Sequence, residues 1–455
     1  MIFNDFRFIF IFLPLVLTFF YLFRGVNRRI LLIVTSIAFY GLSGVDHALI
    51  LILGIMWVYC STKSDSIKGN IPRLLLAISF PLASLCYYKY ANFILDTLQL
   101  SLWTKNNRFN IFDNILLPAG ISFFTFQLIS FAVDRYRGRI VKAQDLSAFA
   151  LYISFFPQLV AGPILRFDQV IKPIKALTIF KLQKKDLYSA ISYICFGLFA
   201  KIVIADGLSE FISPMIEKLY NLSTISCAYI VFAYSFQIYF DFYGYSLVAI
   251  GLGRLFGFHY PDNFKRPYMS RNLQEFWKRW HITLSFWIRD YLYIPLGGNH
   301  NYTRNIIIVF AICGLWHGAG WNFVVWGLYH AFFVVAYSKF SSFWDNIPIF
   351  IQRAINFTIV SFGWILFLFD FDSARIFLKR LVGFGAVGLS EPGLKMWAAL
   401  AGAGLVCFWV DFEKLSEGFH RKGAASMAYS VTLSIILFIT FLFVESSKTF
   451  IYFRF

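Results

Sequence analysis

One stretch of the chain decides the fold and contains its most unusual residues. It reads PYMSRNLQEFWKRWHITLSFWIRDYLYIPLGGN over residues 267–299 and, after a short basic gap, IIIVFAICGLWHGAGWNFVVWGLYHA over residues 306–331. Two of the chain's seven histidines, His281 and His317, lie here in segments too apolar to be ordinary surface. Tryptophan and glycine occur beside them where a plain membrane anchor carries leucine. We therefore predict that these two histidines perform the chemistry and that the remaining chain holds them at membrane depth.

The composition places the chain among integral membrane proteins. Of its 455 residues, 59% are hydrophobic and 14% are charged, whereas a soluble domain carries roughly a quarter charged residues. Apolar runs such as residues 6–23 and 225–252 recur from end to end, and a transmembrane helix needs roughly 20 apolar residues. The runs lack the alternation of barrel strands. We predict an all-α polytopic protein with about ten to twelve transmembrane or re-entrant helices, forming one integral membrane domain over residues 1–455.

The net charge of +17 has an ordinary explanation in membrane proteins, because their cytoplasmic loops collect Lys and Arg. A second interpretation is that part of the excess attracts an anionic substrate at the cytoplasmic face. The densest basic stretch, residues 254–279, would supply it. No soluble basic domain is visible, so nucleic-acid binding is not expected. The six cysteines show no CxxC and no Cys/His ligand spacing, so neither a disulfide framework nor a metal site is predicted.

Residues 146–165 do not fit a simple membrane crossing. The segment is apolar, but basic residues flank it on both sides, and Pro157, Gly162 and Pro163 interrupt it. Irregular backbone at membrane depth is tolerated only where it is buried in protein or faces a watery cavity. We predict a re-entrant or interfacial element that lines a cavity.

Asp241 is a carboxylate in the middle of an apolar run, within FQIYFDFYGYS. A charged residue at this depth is costly and is therefore a candidate functional residue. The alternative is a structural carboxylate that is tied to a neighbouring Arg, Tyr or backbone group. The sequence favours neither.

His281 follows EFWKRW, so a continuous helix would place Trp277, Lys278 and Ser285 on its face and Arg289 near it. Neighbouring cations lower the pKa of a histidine and favour its neutral, basic form. Such a residue suits general base catalysis, and the cations suit phosphate groups. The alternative is an interfacial helix whose Trp and basic residues anchor it at the lipid headgroups.

His317 lies roughly twelve residues into an apolar run, which places it near the middle of the bilayer if the helix begins at Asn305. Burial of its polar ring costs free energy unless both nitrogens are satisfied. Gly314, Gly318 and Gly320 surround it and permit close approach by another backbone or a ligand. Together with the nearby tryptophans they indicate a narrow pocket or tunnel, although a satisfied core histidine is the structural alternative. Sequence signatures of a GxSxG elbow, an HExxH helix or a P-loop are absent.

Several segments closely resemble the membrane-bound O-acyltransferase family, and within it the bacterial polysaccharide O-acetylases of the alginate type. The matching segments are residues 122–138 (SFFTFQLISFAVDRYRG), 153–166 (ISFFPQLVAGPILR), 234–258, 263–299 and 314–331, together with the closing FIYFRF. The pairing of FWKRWHITLSFWIRDYLYIPLGG with WHG at this separation is highly specific to that family.

The resemblance implies a shallow bundle of many helices around a central tunnel. The family's near-invariant histidine corresponds to His317, and its second active-site residue to His281. Acetyl-CoA would be the acetyl donor and would enter from the cytoplasm, with no permanently bound cofactor. Its binding residues would be basic, namely Lys278, Arg279 and Arg289. The tunnel would be lined by Trp316, Gly318, Asn322 and Asp241.

The resemblance also implies a setting and partners. The protein would be a multi-pass protein of a bacterial cytoplasmic (inner) membrane, where it passes acetyl groups to an extracytoplasmic polysaccharide such as an alginate-like exopolysaccharide or a cell-wall glycan. An extracytoplasmic SGNH-type acetyltransferase is the expected partner. The PLGGN ending is more similar to the CoA-using branch than to the D-alanylating branch. The competing functions are a membrane channel or transporter, for which we find no inverted repeat, and a scaffold for polysaccharide assembly.

Overall fold

The computed structural model describes residues 3–98, 116–141, 145–160, 162–383, 391–417, 424–444, 448 and 450–451. Across these residues the regular secondary structure is helical, with no strand. The predicted all-α class is therefore confirmed. Of the FIYFRF segment, Phe450 and Ile451 are described, and residues 452–455 lie outside the described residues.

The described helices are numbered in chain order. The α-helices are α1 Leu13–Leu22, α2 Val26–Gly41, α3 Val45–Thr62, α4 Ile71–Leu85, α5 Ala91–Thr97, α6 Ile121–Tyr136, α7 Leu146–Ser154, α8 Phe156–Leu159, α9 Phe167–Ala176, α10 Lys184–Leu198, α11 Gly207–Glu217, α12 Thr224–Leu255, α13 Leu273–Arg279, α14 Ile282–Ile288, α15 Tyr302–His317, α16 Trp321–Trp344, α17 Ile349–Leu368, α18 Phe371–Leu381, α19 Leu394–Trp409, α20 Phe412–Glu417 and α21 Ala424–Leu442. Four π-helical segments are Phe8–Phe12, Cys86–Tyr90, Phe199–Asp206 and Arg289–Tyr293. The 3-10 turns are Asp65–Ile67, Leu219–Asn221, Pro267–Met269 and Gly298–Asn301.

Among the described residues, six helices are long and apolar enough to cross a membrane. They are Val45–Thr62, Ile71–Thr97, Lys184–Glu217, Thr224–Leu255, Trp321–Trp344 and Ile349–Leu368. Shorter apolar helices occupy Phe8–Leu22, Leu394–Trp409 and Ser426–Leu442. The chain is therefore a multi-pass membrane protein, in agreement with the composition. The central tunnel and the single domain stay predictions.

The backbone forms two compact units, which we describe separately. The first comprises Met1–Leu187 and Leu252–Tyr260, and the second comprises Tyr188–Gly251 and Pro261–Phe455. In the first unit, α4 packs on both α3 and α6. Its core contains a cluster of phenylalanines in which the ring of Phe156 lies 5.5 Å from Phe12, 5.8 Å from Phe39 and 6.1 Å from Phe8.

The predicted break in residues 146–165 is present. Helix α7 has nine residues and α8 has four, which correspond to about 14 Å and 6 Å of rise, far short of a hydrocarbon core of about 30 Å. The chain then folds back tightly, because a Cβ atom at Gly162 would lie 2.5 Å from the Cα atom of Gln158. Neither helix crosses the membrane by itself, which agrees with a re-entrant or interfacial element. Its contact with a cavity stays a prediction.

In the second unit, α15 and α16 form a tight helical hairpin, and α16 also packs on α13 and α17. The hairpin depends on two glycines. A Cβ atom at Gly314 would lie 2.1 Å from the carbonyl oxygen of Phe323, and one at Gly327 would lie 2.1 Å from that of Phe310. The two helices therefore cross in direct backbone contact, as small residues allow in membrane proteins. This contact fixes the position of the C-terminal end of α15, where His317 lies.

Candidate active site

His281 occupies a break between two short helices. Helix α13 begins at the cap residue Asn272, whose side chain accepts a hydrogen bond of 2.8 Å from the backbone N–H of Glu275. It ends at Arg279, and His281 then adopts a left-handed conformation with φ = 44° before α14 begins at Ile282. A left-handed residue cannot continue a right-handed helix. The continuous helix that we assumed from the sequence is therefore wrong, and strained backbone of this kind clusters at functional sites.

The side chain of Asn263 fixes the orientation of the His281 ring. Its Oδ1 lies 3.1 Å from His281 Nδ1 and also accepts hydrogen bonds from the backbone N–H of Thr283 at 3.2 Å and from its hydroxyl at 2.8 Å. Because the backbone N–H can only donate, this atom is the amide oxygen, and His281 Nδ1 must carry a proton. In the neutral ring, Nε2 is then the basic nitrogen.

His281 is fully buried, and this burial lowers its pKa to about 3. The predicted direction of the pKa shift is confirmed, but its cause is different. Loss of hydration disfavours the charged ring, whereas the cations that we invoked, Lys278 and Arg289, are exposed. His281 is therefore neutral at physiological pH, so its Nε2 has a lone pair that can accept a hydrogen bond.

His317 is the last residue of α15, because Gly318 turns the backbone into an extended conformation. The His317 side chain is buried in an aromatic cage: its ring centroid lies 4.9 Å from that of Trp316, 5.1 Å from Trp326 and 5.6 Å from Phe367. Gly318 makes room for the neighbouring ring of Phe323, since a Cβ atom at residue 318 would lie 2.1 Å from that ring, and Phe323 in turn packs on Phe367 at a centroid distance of 5.1 Å.

Trp316 joins the two predicted catalytic histidines. Its ring centroid lies 4.9 Å from that of His317 and 6.1 Å from that of His281. Phe242 also contacts His281, with its ring centroid 4.7 Å away in an edge-on arrangement. The structure thus brings together the two histidines, Trp316 and Gly318 from the residues that the sequence singled out.

The predicted donor-binding cations line two different cavities of the second unit. Lys278 and Arg289 line an apolar groove of about 700 Å³, which we call the α13–α16 groove. Its other lining residues are Gln274, Trp277, Ile282, Leu284, Ser285, Phe286, Ile288, Tyr293, Asn299, Tyr302, Ile306, Val309, Phe310, Cys313 and Val334. Neither Asp nor Glu is among these described lining residues, so the charged side chains that line the groove, Lys278 and Arg289, are both basic.

Arg279 instead lines a cleft of about 500 Å³. Four acidic side chains share this cleft with four basic ones: Asp262, Lys265, Arg266, Arg279, Asp411, Glu413, Lys414 and Glu417. Arg279 is already paired with Glu275 through an N–O distance of 2.5 Å. Burial raises the pKa of Glu413 to about 8, and its carboxyl group accepts a hydrogen bond from the hydroxyl of Tyr243. Because Arg279 is paired with Glu275 and the carboxylates of Asp262, Asp411 and Glu417 lie in the same cleft, this cleft is a weaker attractor of anions than the α13–α16 groove.

Two predicted tunnel residues are held by other groups. Asp241 Oδ1 lies 2.7 Å from Lys201 Nζ, and its Oδ2 accepts a hydrogen bond of 2.8 Å from the backbone N–H of Ile451. The amide of Asn322 donates to the carbonyl oxygens of Leu366 and Phe369, at 3.1 and 3.3 Å. Asp241 is therefore a structural carboxylate that is held by a buried lysine and a backbone N–H group, which was the alternative considered from the sequence.

Sequence reasoning missed Asn263 and Lys201. Lys201 carried a readable signal, because it is a cation in an apolar run and such a residue demands a partner. Asn263 carried none, since it lies in a polar loop and its role depends on folding against His281.

The comparisons with known proteins define the class. Residues 137–370 match the model of the membrane-bound O-acyltransferase family. The chain belongs to this family and is an acyltransferase. The predicted resemblance is thereby confirmed.

Individual relatives cover most of the chain. A probable alginate O-acetylase of Pseudomonas putida is 36% identical over 93% of this chain and 89% of its own length. A peptidoglycan O-acetyltransferase of Helicobacter pylori is 31% identical over 100% of this chain and 98% of its own. The teichoic acid D-alanyltransferase of Bacillus subtilis is 28% identical over 56% of this chain and 69% of its own.

Proposed function

We propose that the protein is an O-acetyltransferase of a bacterial cytoplasmic membrane that passes acetyl groups from cytoplasmic acetyl-CoA to an extracytoplasmic polysaccharide. The observation that carries the proposal is the pair of buried histidines on either side of Trp316, one of them neutral with its tautomer fixed by Asn263. The alginate and peptidoglycan O-acetylating relatives, which match over most of the chain, support an acetyl group and a glycan acceptor.

The two histidines have different roles in the proposed reaction. An acceptor hydroxyl loses its proton to His317, its oxygen forms a bond to the acetyl carbonyl carbon, the C–S bond of the thioester breaks, and the proton leaves with the CoA thiol. His281 offers Nε2 as a second basic nitrogen whose ring cannot rotate away from Asn263. The dry aromatic surroundings of both rings strengthen every hydrogen bond that is made during the reaction.

Acetyl-CoA would bind along the α13–α16 groove. Lys278 and Arg289 would contact its phosphates, and the apolar wall of the groove would hold the pantetheine arm. The groove extends to Cys313, one helical turn before His317 on α15. Arg279 lines the separate cleft and is already paired with Glu275, so we place the phosphates on Lys278 and Arg289.

Transfer of the acetyl group on the outer side would be completed by an extracytoplasmic SGNH-type acetyltransferase as partner, with the polysaccharide hydroxyl as final acceptor. The family resemblance supports this partner. Reconstitution with an extracytoplasmic SGNH-type protein from the same organism should release acetylated glycan, whereas either protein alone should not.

The test is transfer of label from [¹⁴C]acetyl-CoA in membranes that contain both the protein and its SGNH-type partner. We expect label in the glycan fraction with the wild type and its loss with His317→Ala, while His259→Ala, which removes an exposed histidine outside the site, retains activity. Full acetylation by a well-inserted His317→Ala variant would refute the catalytic role of His317. A channel or a scaffold would then be the better interpretation of the protein.

The donor site has its own test. Lys278→Glu combined with Arg289→Glu should raise KM for acetyl-CoA with little change in kcat, because the phosphates are remote from the reacting carbonyl. Lys379→Glu, which reverses an exposed charge on α18, is the matched control. An unchanged KM in the double variant would show that acetyl-CoA does not bind in this groove.

A further inference from the structure

Three mutually contacting rings lie between the α13–α16 groove and His317. The ring of Trp277 lies 5.8 Å from Trp326 and 5.1 Å from His330, and Trp326 lies 4.9 Å from His330. We call these residues the Trp277–Trp326–His330 cluster. Trp277 lines the groove, and Trp326 contacts the ring of His317 at 5.1 Å. The cluster therefore connects the proposed donor groove with His317 through ring contacts.

Several buried polar atoms of the cluster make no hydrogen bond. Within the described part of the chain, the indole N–H groups of Trp277 and Trp326 and both ring nitrogens of His330 are buried and have no hydrogen-bond partner. Trp326 and His330 are completely buried. Polar atoms in this condition cost free energy, and an apolar side chain of the same shape removes that cost. Packing alone therefore does not account for a histidine at position 330.

His330 is also held tightly in place. A Cβ atom at Gly363 on α17 would lie 3.0 Å from His330 Nε2, so α17 packs closely against this ring. The ring of Phe276 lies nearly parallel to that of His330, at a centroid distance of 6.3 Å. A rigid group of polar rings in a dry environment is the arrangement that stabilises a carbonyl oxygen on which charge develops.

We propose that the Trp277–Trp326–His330 cluster binds the carbonyl oxygen of the acyl thioester. The two indole N–H groups and the N–H of neutral His330 donate hydrogen bonds to this oxygen, and these bonds strengthen as the carbonyl carbon is attacked. His330 thus becomes a third histidine of the reaction, with a role different from the proton transfer assigned to His317. This inference rests on the proposed function, because it takes a thioester such as acetyl-CoA as the donor.

The direct test uses a ketone analogue of acetyl-CoA, S-acetonyl-CoA with ¹³C in its carbonyl group, bound to the purified full-length protein. Isotope-edited infrared spectroscopy reports hydrogen bonding to that carbonyl. We expect the band to move to higher wavenumber in His330→Phe and Trp326→Phe relative to the wild type. The matched control is Trp364→Phe: this indole also contacts Trp326, at 5.6 Å, but its N–H already donates to the hydroxyl of Tyr268 at 3.1 Å. The band should not move in the control.

Kinetics and stability give a second, independent reading. His330→Phe should lower kcat by about 10²-fold, the typical loss for one oxyanion donor, with KM for acetyl-CoA unchanged. It should also raise the apparent Tm, because two unpartnered polar atoms leave the core. A purely structural histidine would give the opposite sign, with Tm lowered.

The outcomes separate the two proposals. If the wild type binds the analogue and the band is the same in all variants, the cluster does not contact the carbonyl and the inference is overturned, while the acetyl-CoA proposal stands. If the wild type neither binds the analogue nor transfers label from acetyl-CoA, the proposed donor is wrong and the inference falls with it.

Discussion

His281 donates its Nδ1 proton to the side-chain oxygen of Asn263 across 3.1 Å. The same oxygen accepts two hydrogen bonds from Thr283, and the Asn263 amide nitrogen donates to the hydroxyl of Ser246 at 3.2 Å. One amide thereby sets the tautomer of a buried histidine and the path of the left-handed turn that carries it. A group that accepts a hydrogen bond from one ring nitrogen of a functional histidine fixes the orientation of the ring and decides which nitrogen is basic.

Removal of this amide should impair catalysis through His281. We expect Asn263→Ala to lower kcat about 10–100-fold, the usual effect of losing a group that orients a functional histidine, with KM for acetyl-CoA little changed. Steady-state assays with labelled acetyl-CoA measure both constants. Asn356→Ala is the control, because this buried amide donates to the backbone of Ser270 and should affect stability rather than kcat. Equal kcat values for the two variants would contradict the tautomer argument.

Acid should destabilise the protein partly through His281. Burial lowers the pKa of this residue to about 3 from its ordinary 6.5, so between these values the unfolded chain binds a proton that the native state does not. The contribution to stability is complete above pH 6.5 and is lost as the pH falls towards 3. Thermal unfolding in detergent should therefore show a shallower pH dependence in His281→Gln than in the wild type. Parallel curves would show that His281 does not titrate in this way.

Removal of one charged residue from the buried group of Lys201, Asp206 and Asp241 should lower the stability of the protein. Lys201 Nζ lies 2.6 Å from Asp206 and 2.7 Å from Asp241, and all three side chains are 4% exposed. The backbone N–H groups of Lys448 and Ile451 donate to the same two carboxylates. Lys201→Met leaves two buried carboxylates without their cation, which should destabilise the protein by about 3–5 kcal/mol.

The matched control for this change is the triple variant Lys201→Met, Asp206→Asn, Asp241→Asn. It removes the charges together, so it should recover most of the lost stability. Unfolding in detergent, followed by Tm, compares the three proteins. A wild-type Tm in Lys201→Met would show that the ion group does not hold the segment at Lys448 and Ile451.

The glycine contact between α15 and α16 gives a sharp structural prediction. Gly327→Ala places a methyl group against the backbone oxygen of Phe310, since the added Cβ atom would start 2.1 Å away. The hairpin must open, so we expect loss of both Tm and transferase activity, because His317 ends α15. Gly402→Ala on α19 is the control: nothing lies within 4 Å of its added Cβ atom, and alanine should stabilise this helix by about 0.5–1 kcal/mol. Equal effects of the two substitutions would contradict the crossing geometry.

Local sequence patterns determined the class of the protein and the positions of its two histidines. Apolar runs of sufficient length in a chain with few charges must be membrane helices, because backbone polar groups cannot be left unpaired in lipid. The break in residues 146–165 was readable from its prolines and flanking charges for the same reason. His281 and His317 were readable because a titratable ring in an apolar segment demands a specific environment.

Only the tertiary structure decided which groups those residues meet. Neighbours in sequence such as Lys278 and Arg279 turn towards different cavities, and the left-handed turn at His281 breaks the helix that sequence periodicity suggested. The partners of the decisive residues are far away in the chain: Asn263 for His281, Lys201 for Asp241 and Trp277 for His330. A pattern along one helix cannot specify such pairs, because they form only when separate helices pack against each other and exclude water.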